Sequence, residues 1–236
     1  MWHTYRQTYF SDEDDDRENR QEQEQTFIEE KIPDYGDVDK FFDRLVKQKV
    51  RVVVLLEKIC LEEANVCERY KYYWQPSSDN AEDEKKYKII MKKAENRGNY
   101  KFISLMIEWC ESGKMVHNFD VFNYTLVNKD VPLTVETFMD FLNDVRIANC
   151  PIYIPTHPLA PIVIHSDGGV GLAGLISVIE IGMDMIQFCG DPRNIPKLIA
   201  DNVQSAPSMM HINQEQMVFC QKVFNMYASK VGIKLD

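Results

Sequence analysis

The most chemical stretch of the chain is Ile162-Val163-Ile164-His165-Ser166-Asp167-Gly168-Gly169-Val170-Gly171-Leu172-Ala173-Gly174, an apolar β-branched run that enters a helix-forming segment through a glycine-rich turn. Successive backbone N–H groups and a helix N-terminus can surround an anion, and glycines allow the backbone angles and close approach such a loop needs. The pattern therefore predicts a phosphate cradle. Two other chemistries fit poorly. Gly169 to Gly174 spells G-x-G-x-x-G after a strand, but a dinucleotide fingerprint needs a second strand ending in an acid ~20 residues later; here Asp191-Pro192 and more helix follow. Ser166 as a hydrolase nucleophile lacks the G-x-S-x-G frame, and neighbouring strand residues point to opposite faces, which disfavours His165 as its base.

The elements that must hold this stretch can be read from periodicity. Val38, Phe41, Phe42, Leu45 and Val46 recur at helical spacing, and Val50 to Leu56 is short, β-branched and nearly continuous, as an interior strand would be. Residues 68–125 mix aromatic and charged runs with Ser77-Ser78-Asp79-Asn80 and Arg97-Gly98-Asn99 breaks, predicting an antiparallel meander. Thr134 can cap a helix carrying Val135, Phe138, Leu142 and Val145 on one stripe. Pro161 to His165 reads as the second strand. Three helices should follow: one through Leu172, Leu175, Ile176, Ile179, Met183 and Ile186, a second through Ile195, Leu198, Ile199 and Val203, and a third through Met217, Phe219, Cys220, Val223, Phe224 and Tyr227. Ser11 to Gln25 (SDEDDDRENRQEQEQ) holds no apolar residue. The expected organisation is a disordered acidic arm over 1–25 and one α/β domain over 26–236.

Composition narrows the possible partners. The 236 residues are 44% hydrophobic and 27% charged, enough for one sizeable core, and 27 Lys plus Arg against 37 Asp plus Glu give a formal charge of −10. Such a charge repels nucleic-acid phosphates and anionic membranes. The longest apolar stretch, Leu172 to Ile186, is interrupted by Glu180 and Asp184, short of the ~18 clean residues a membrane helix requires. Met-Trp-His-Thr-Tyr-Arg lacks the features of a secretory signal, so a cytoplasmic, reducing setting is expected and the Asn123-Tyr124-Thr125 sequon should stay unmodified. Cys60, Cys67, Cys110, Cys150, Cys189 and Cys220 are scattered, with no Cys-x-x-Cys, which reads as buried thiols and speaks against zinc. No metal or cofactor is called for.

His165 to Gly174 resembles, in register, the signature loop His-Cys-x-x-Gly-x-Gly-Arg-Ser/Thr-Gly of protein tyrosine phosphatases. The resemblance extends over residues 26–230. Phe27-Ile28-Glu29-Glu30-Lys31-Ile32-Pro33 and the helix through Phe41-Phe42 are similar to the family's Phe-Ile-Ala-Thr-Gln-Gly-Pro segment and its helix. Cys67 falls at a Lys-Cys position, Asn123-Tyr124-Thr125 with Val131-Pro132 resembles the flanks of the mobile acid loop, and Met209-Met210 with Phe219-Cys220 resembles the glutamine-loop region. The resemblance implies a central twisted mixed β-sheet flanked by helices, with a C-terminal helical bundle. It also implies a truncated N-terminal part, since the family's recognition segment precedes Phe27 and mostly acidic residues stand there.

The departures bear on the chemistry that the resemblance implies. Ser166 stands where the family has its nucleophilic cysteine, and losing a nucleophile costs on the order of 10⁶ in turnover. Leu172 stands at the phosphate-binding arginine, removing charge-assisted hydrogen bonds of roughly 1.5–3 kcal/mol each. Ala173 replaces the assisting hydroxyl. Asp167 brings a carboxylate near the anion position, a repulsion of about 4 kcal/mol per unit-charge pair at 4 Å and an effective dielectric of 20. The family's Trp-Pro-Asp aligns with Val127-Asn128-Lys129, one residue short, with Asp130 as the nearest carboxyl; His211 aligns with the glutamine that positions water. Leu61 aligns with the glutamate that pairs the signature arginine. The resemblance thus implies an inactive relative, a pseudophosphatase that binds a protein partner, tyrosine-phosphorylated or not, as a regulator or adaptor. Residual or repurposed phosphatase activity through Ser166 or Asp130 is the enzymatic alternative, and a small-molecule sensor built on the blunted pocket is a third.

Overall fold

A computed structural model describes residues 3–10, 22–30, 37–59, 86–127, 131–150, 160–166, 172–189 and 212–233. Its strands are β1 (His3–Phe10), β2 (Glu22–Glu30), β3 (Val52–Ile59), β4 (Tyr87–Asn96), β5 (Tyr100–Trp109), β6 (Met115–Val127) and β7 (Ile162–Ser166). Its helices are α1 (Val38–Gln48), α2 (Val135–Asn149), α3 (Leu172–Cys189) and α4 (Gln214–Lys230). The strands form one mixed sheet in the order β1-β2-β7-β3-β6-β5-β4. β2, β7, β3 and β6 run parallel to one another, while β1 and the β6-β5-β4 meander pair antiparallel.

Period-two alternation divides the core between the two faces of the sheet. Val53, Leu55, Ile103, Leu105, Val121 and Val163 pack with Phe41, Phe42 and Leu45 of α1. Val52, Val54, Leu56, Phe122, Tyr124, Ile162 and Ile164 pack with α2, α3 and α4. The run at Val52–Leu56 is continuous because both faces are covered, as its composition predicted. α2 starts where the sequence placed its cap: the Thr134 hydroxyl accepts from the Thr137 N–H. α4 opens with a reciprocal capping box between Asn213 and Gln216. α3 and α4 approach closely at Gly182, where a methyl group would collide with the ring of Phe224.

The N-terminal arm requires correction at both ends. Residues 3–10 form β1, and Glu22 to Gln25 lie in β2, paired with Phe10 to Gln7. Main-chain pairing with a distant strand places these polar residues in the sheet, which a burial argument from composition could not register. Residues 11–21 lie outside the described residues, as does the helix expected through Ile195 and Val203. The cysteines were expected to be buried, yet Cys110, just beyond β5, and Cys150, at the α2 C-cap, are exposed; Cys220 is buried.

Candidate functional site

Because β2, β7, β3 and β6 are parallel, their C-terminal ends lie at the same end of the sheet, where open α/β sheets present their loops. β7 is held between β2 and β3, with Glu30 level with His165 and Leu56 level with Ser166. Leu56 is also level with Tyr124, so Ser166, Leu56 and Tyr124 form one row. Beyond that row β6 continues to Val127 and β3 to Ile59. The topology thus gathers at one end the segment leaving Ser166, the segment leaving Val127 and the segment leaving Ile59, which carry the predicted signature-loop, acid-loop and ion-pair positions.

The two ends of the glycine turn are described. Ser166 closes β7 and Leu172 opens α3, so the chain passes from a central strand to a helix N-terminus across residues 167–171. The first turn of α3 contains no acid to neutralise the partial positive charge of its free N–H groups. That charge stabilises an anion by about 0.3–1 kcal/mol in an exposed setting. A guanidinium making charge-assisted bonds would add roughly 1.5–3 kcal/mol per bond.

His165 is fully buried on the α1 face, its ring 5.1 Å from that of Phe41. It lies on the same face as Val163, so its role there is packing. Ala173 and Gly174 are buried in the first turn of α3, and Ala173 belongs to the core shared with α2 and α4. Val127 ends β6; Asn128, Lys129, Asp130, Asp167, Gly168, Gly169, Val170, Gly171, Leu61 and His211 lie outside the described residues. On the far side of the acid-loop segment the chain is anchored again, with Pro132 buried and Val131 packed on the core. Tyr124, in the flank of that loop, is a core residue edge-on to Phe138 at 5.4 Å and 5.0 Å from Phe141, and burial pushes its hydroxyl pKa upward.

A family model for protein-tyrosine phosphatase matches residues 18–226, which takes in every landmark of the resemblance and leaves out only the last residues of α4. The chain belongs to the protein-tyrosine phosphatase family. No curated protein matches it. In this phosphatase-family domain the mixed sheet flanked by helices is the fold the resemblance implied.

One ion pair of α3 was not identified from the sequence. Glu180, read there as an interruption of an apolar helix, is 3% exposed and accepts from Arg146 of α2 through Nε at 2.8 Å and Nη2 at 2.5 Å. Its position between Ile176 and Met183 on the buried stripe was the available signal. Cys220, expected as a buried thiol, is buried, and burial pushes its thiol pKa up to about 12, which keeps it protonated and a poor nucleophile. Among the described residues no cluster of His, Cys, Asp and Glu could hold a metal, and no helix is long and apolar enough to cross a membrane.

Proposed function

We propose that this phosphatase-family domain is catalytically inactive and acts in the cytoplasm as a protein-binding regulator or adaptor in phosphotyrosine signalling. The observation that carries the reading is the pair of residues framing the glycine turn: Ser166 at the end of β7 and Leu172 at the start of α3. Ser166 offers a hydroxyl that stays protonated at neutral pH without an activating base, and Leu172 offers no charge. Ala173 lacks the hydroxyl that would assist a leaving group. Asp167 disfavours a phosphate dianion in the same turn. Each change weakens transition-state binding separately, and together they leave a scaffold suited to contact rather than turnover.

Hydrolysis of para-nitrophenyl phosphate by purified protein is the direct test. The expected rate is background and indifferent to Ser166→Ala; a rate above background that Ser166→Ala abolishes would overturn the reading and favour an enzyme. The triple variant Ser166→Cys, Asp167→Ser, Leu172→Arg asks whether the cradle geometry survives, and turnover in it supports an intact scaffold. Retention of a partner from cell lysate, compared before and after phosphatase treatment of that lysate, separates phosphate-independent contact, which Leu172 and Asp167 favour, from phosphotyrosine binding.

A further inference from the structure

We propose that the outer edge of β4 docks an acidic, extended segment of a partner protein, which adds to the sheet as a further strand. Among the described residues β4 pairs only with β5 and ends the sheet order, so its outer side presents main-chain donors and acceptors that no described strand engages. Between Lys86 and Lys101 the chain carries Lys86, Lys88, Lys92, Lys93, Arg97 and Lys101 against one acid, Glu95, in a protein of charge −10. All six cations are exposed. Lys86 is engaged by Asp43, Lys93 by Glu95, and Arg97 by Glu95 and Asp144. Lys88 stands across the ladder from Glu108, and Lys92 and Lys101 form no ion pair among the described residues. Beside them Met91 is 47% exposed, and Ile89 and Ile90 are half-buried. The edge therefore offers positive charge and apolar surface together.

Lysines on an edge strand ordinarily keep two copies apart, because each copy brings its own. The same charges attract an acidic strand, so this edge rejects a second β4 and selects its occupant by sign. A register shift between Met91 and Lys93 divides the regular ladder, fixing Tyr87–Met91 and Lys93–Asn96 as the pairing segments. The chain's own acidic stretch cannot fill the edge in cis. It joins β1 to β2 at the other margin, six strand spacings or about 29 Å away. A connection over residues 11–21 fixed at both ends reaches only half its contour of roughly 38 Å. Among the described residues no segment of this chain lies beyond β4, and the occupant proposed is a segment of another molecule. β4 lies four spacings from β7, about 19 Å, so the proposal is independent of what the glycine turn does.

The test is a fluorescence-anisotropy titration of the full chain with a labelled ten-residue peptide alternating Glu and Val. Controls are its Lys-Val counterpart, the same acidic peptide interrupted by proline, and a single-stranded DNA of equal charge. Saturable binding of the Glu-Val peptide alone is expected, weakened about tenfold or more by raised salt and by the variant Lys88→Glu, Lys92→Glu, Lys101→Glu. Amides of residues 88–96 should gain hydrogen-exchange protection in the complex. No binding, equal binding by the DNA or the proline peptide, or binding without amide protection would overturn the proposal. The peptide controls decide the matter even if the triple variant fails to fold.

Discussion

Replacing Arg146 by methionine tests how the helices behind the glycine turn are held. Arg146 forks onto a single carboxylate oxygen of Glu180, whose side chain is 3% exposed while that of Arg146 is 32% exposed. Removing one partner of a fully buried pair costs about 3–5 kcal/mol, because the remaining charge is left without compensation. Water reaching the exposed side of this pair lowers the expected cost to about 2–3 kcal/mol. For a domain of this length that is a fall in Tm of roughly 4–12 °C. Glu180→Leu alone should cost less, about 1 kcal/mol, since the arginine it leaves can turn towards solvent. The double variant Arg146→Met, Glu180→Leu should return to within ~1 kcal/mol of the parent, because an apolar pair of similar volume can replace a buried ion pair. Urea unfolding followed by circular dichroism, analysed as a double-mutant cycle at constant m-value, measures all three. A cost below ~0.5 kcal/mol for Arg146→Met, or a double variant no more stable than Arg146→Met, would refute the reasoning.

Two further outcomes follow from the packing and electrostatics. Gly182→Ala should destabilise by about 1–3 kcal/mol, because its methyl would lie well inside contact distance of Cζ and Cε1 of the fully buried Phe224 ring and 3.1 Å from Cε2; Phe224→Leu in the same chain should recover part of that loss in urea melts. Asp43 accepts from Lys86 and from the Tyr87 hydroxyl, and these bonds hold its carboxyl below its ordinary pKa, so its contribution is present above the unfolded carboxylate value and vanishes as pH falls through the lower folded one. Asp43→Asn should therefore cost under ~1 kcal/mol at neutral pH, as the group is half exposed, and the difference from the parent should close in acid unfolding curves.

Much of the scaffold was legible because burial leaves a periodic trace. The stripe Val38-Phe41-Phe42-Leu45 became α1, the run at Val52–Leu56 became β3, Thr134 became a working cap, and Ile162–His165 became β7. The antiparallel meander expected over residues 68–125 is present in its described part as β4 to β6, with Arg97-Gly98-Asn99 at the β4–β5 turn. What escaped was stabilised by partners distant in sequence. HTYRQTYF and EQEQTFIEE carry too little apolar alternation to announce strands, and their pairing with each other and of Phe27–Glu30 with β7 places them in the sheet. Glu180 looked like a break because a carboxylate on a buried stripe makes sense only once Arg146 is brought beside it from α2. At the site, the ends of the turn and the parallel strand ends were foreseeable from the strand-to-helix pattern, and the common row through Ser166, Leu56 and Tyr124 was not, since it depends on registers between strands far apart in sequence.

On the function proposed above, the separation between what holds the loop and what fills it explains how the domain keeps its shape while its signature changes. β7 is fixed by ladders to β2 and β3 and by Ile162 and Ile164 on one face with Val163 and His165 on the other. α3 is fixed by Leu175, Ile176, Ile179 and the Glu180 pair. None of these residues is a position where the proposed function rests on a substitution. Ala173 is the exception. It is 1% exposed and belongs to the core, so a hydroxyl there would be buried and would cost about 1–3 kcal/mol unless the turn supplied a hydrogen-bond partner. The Ala173 side chain therefore contributes to the stability of the fold, and an alanine there leaves no buried hydroxyl in need of a partner.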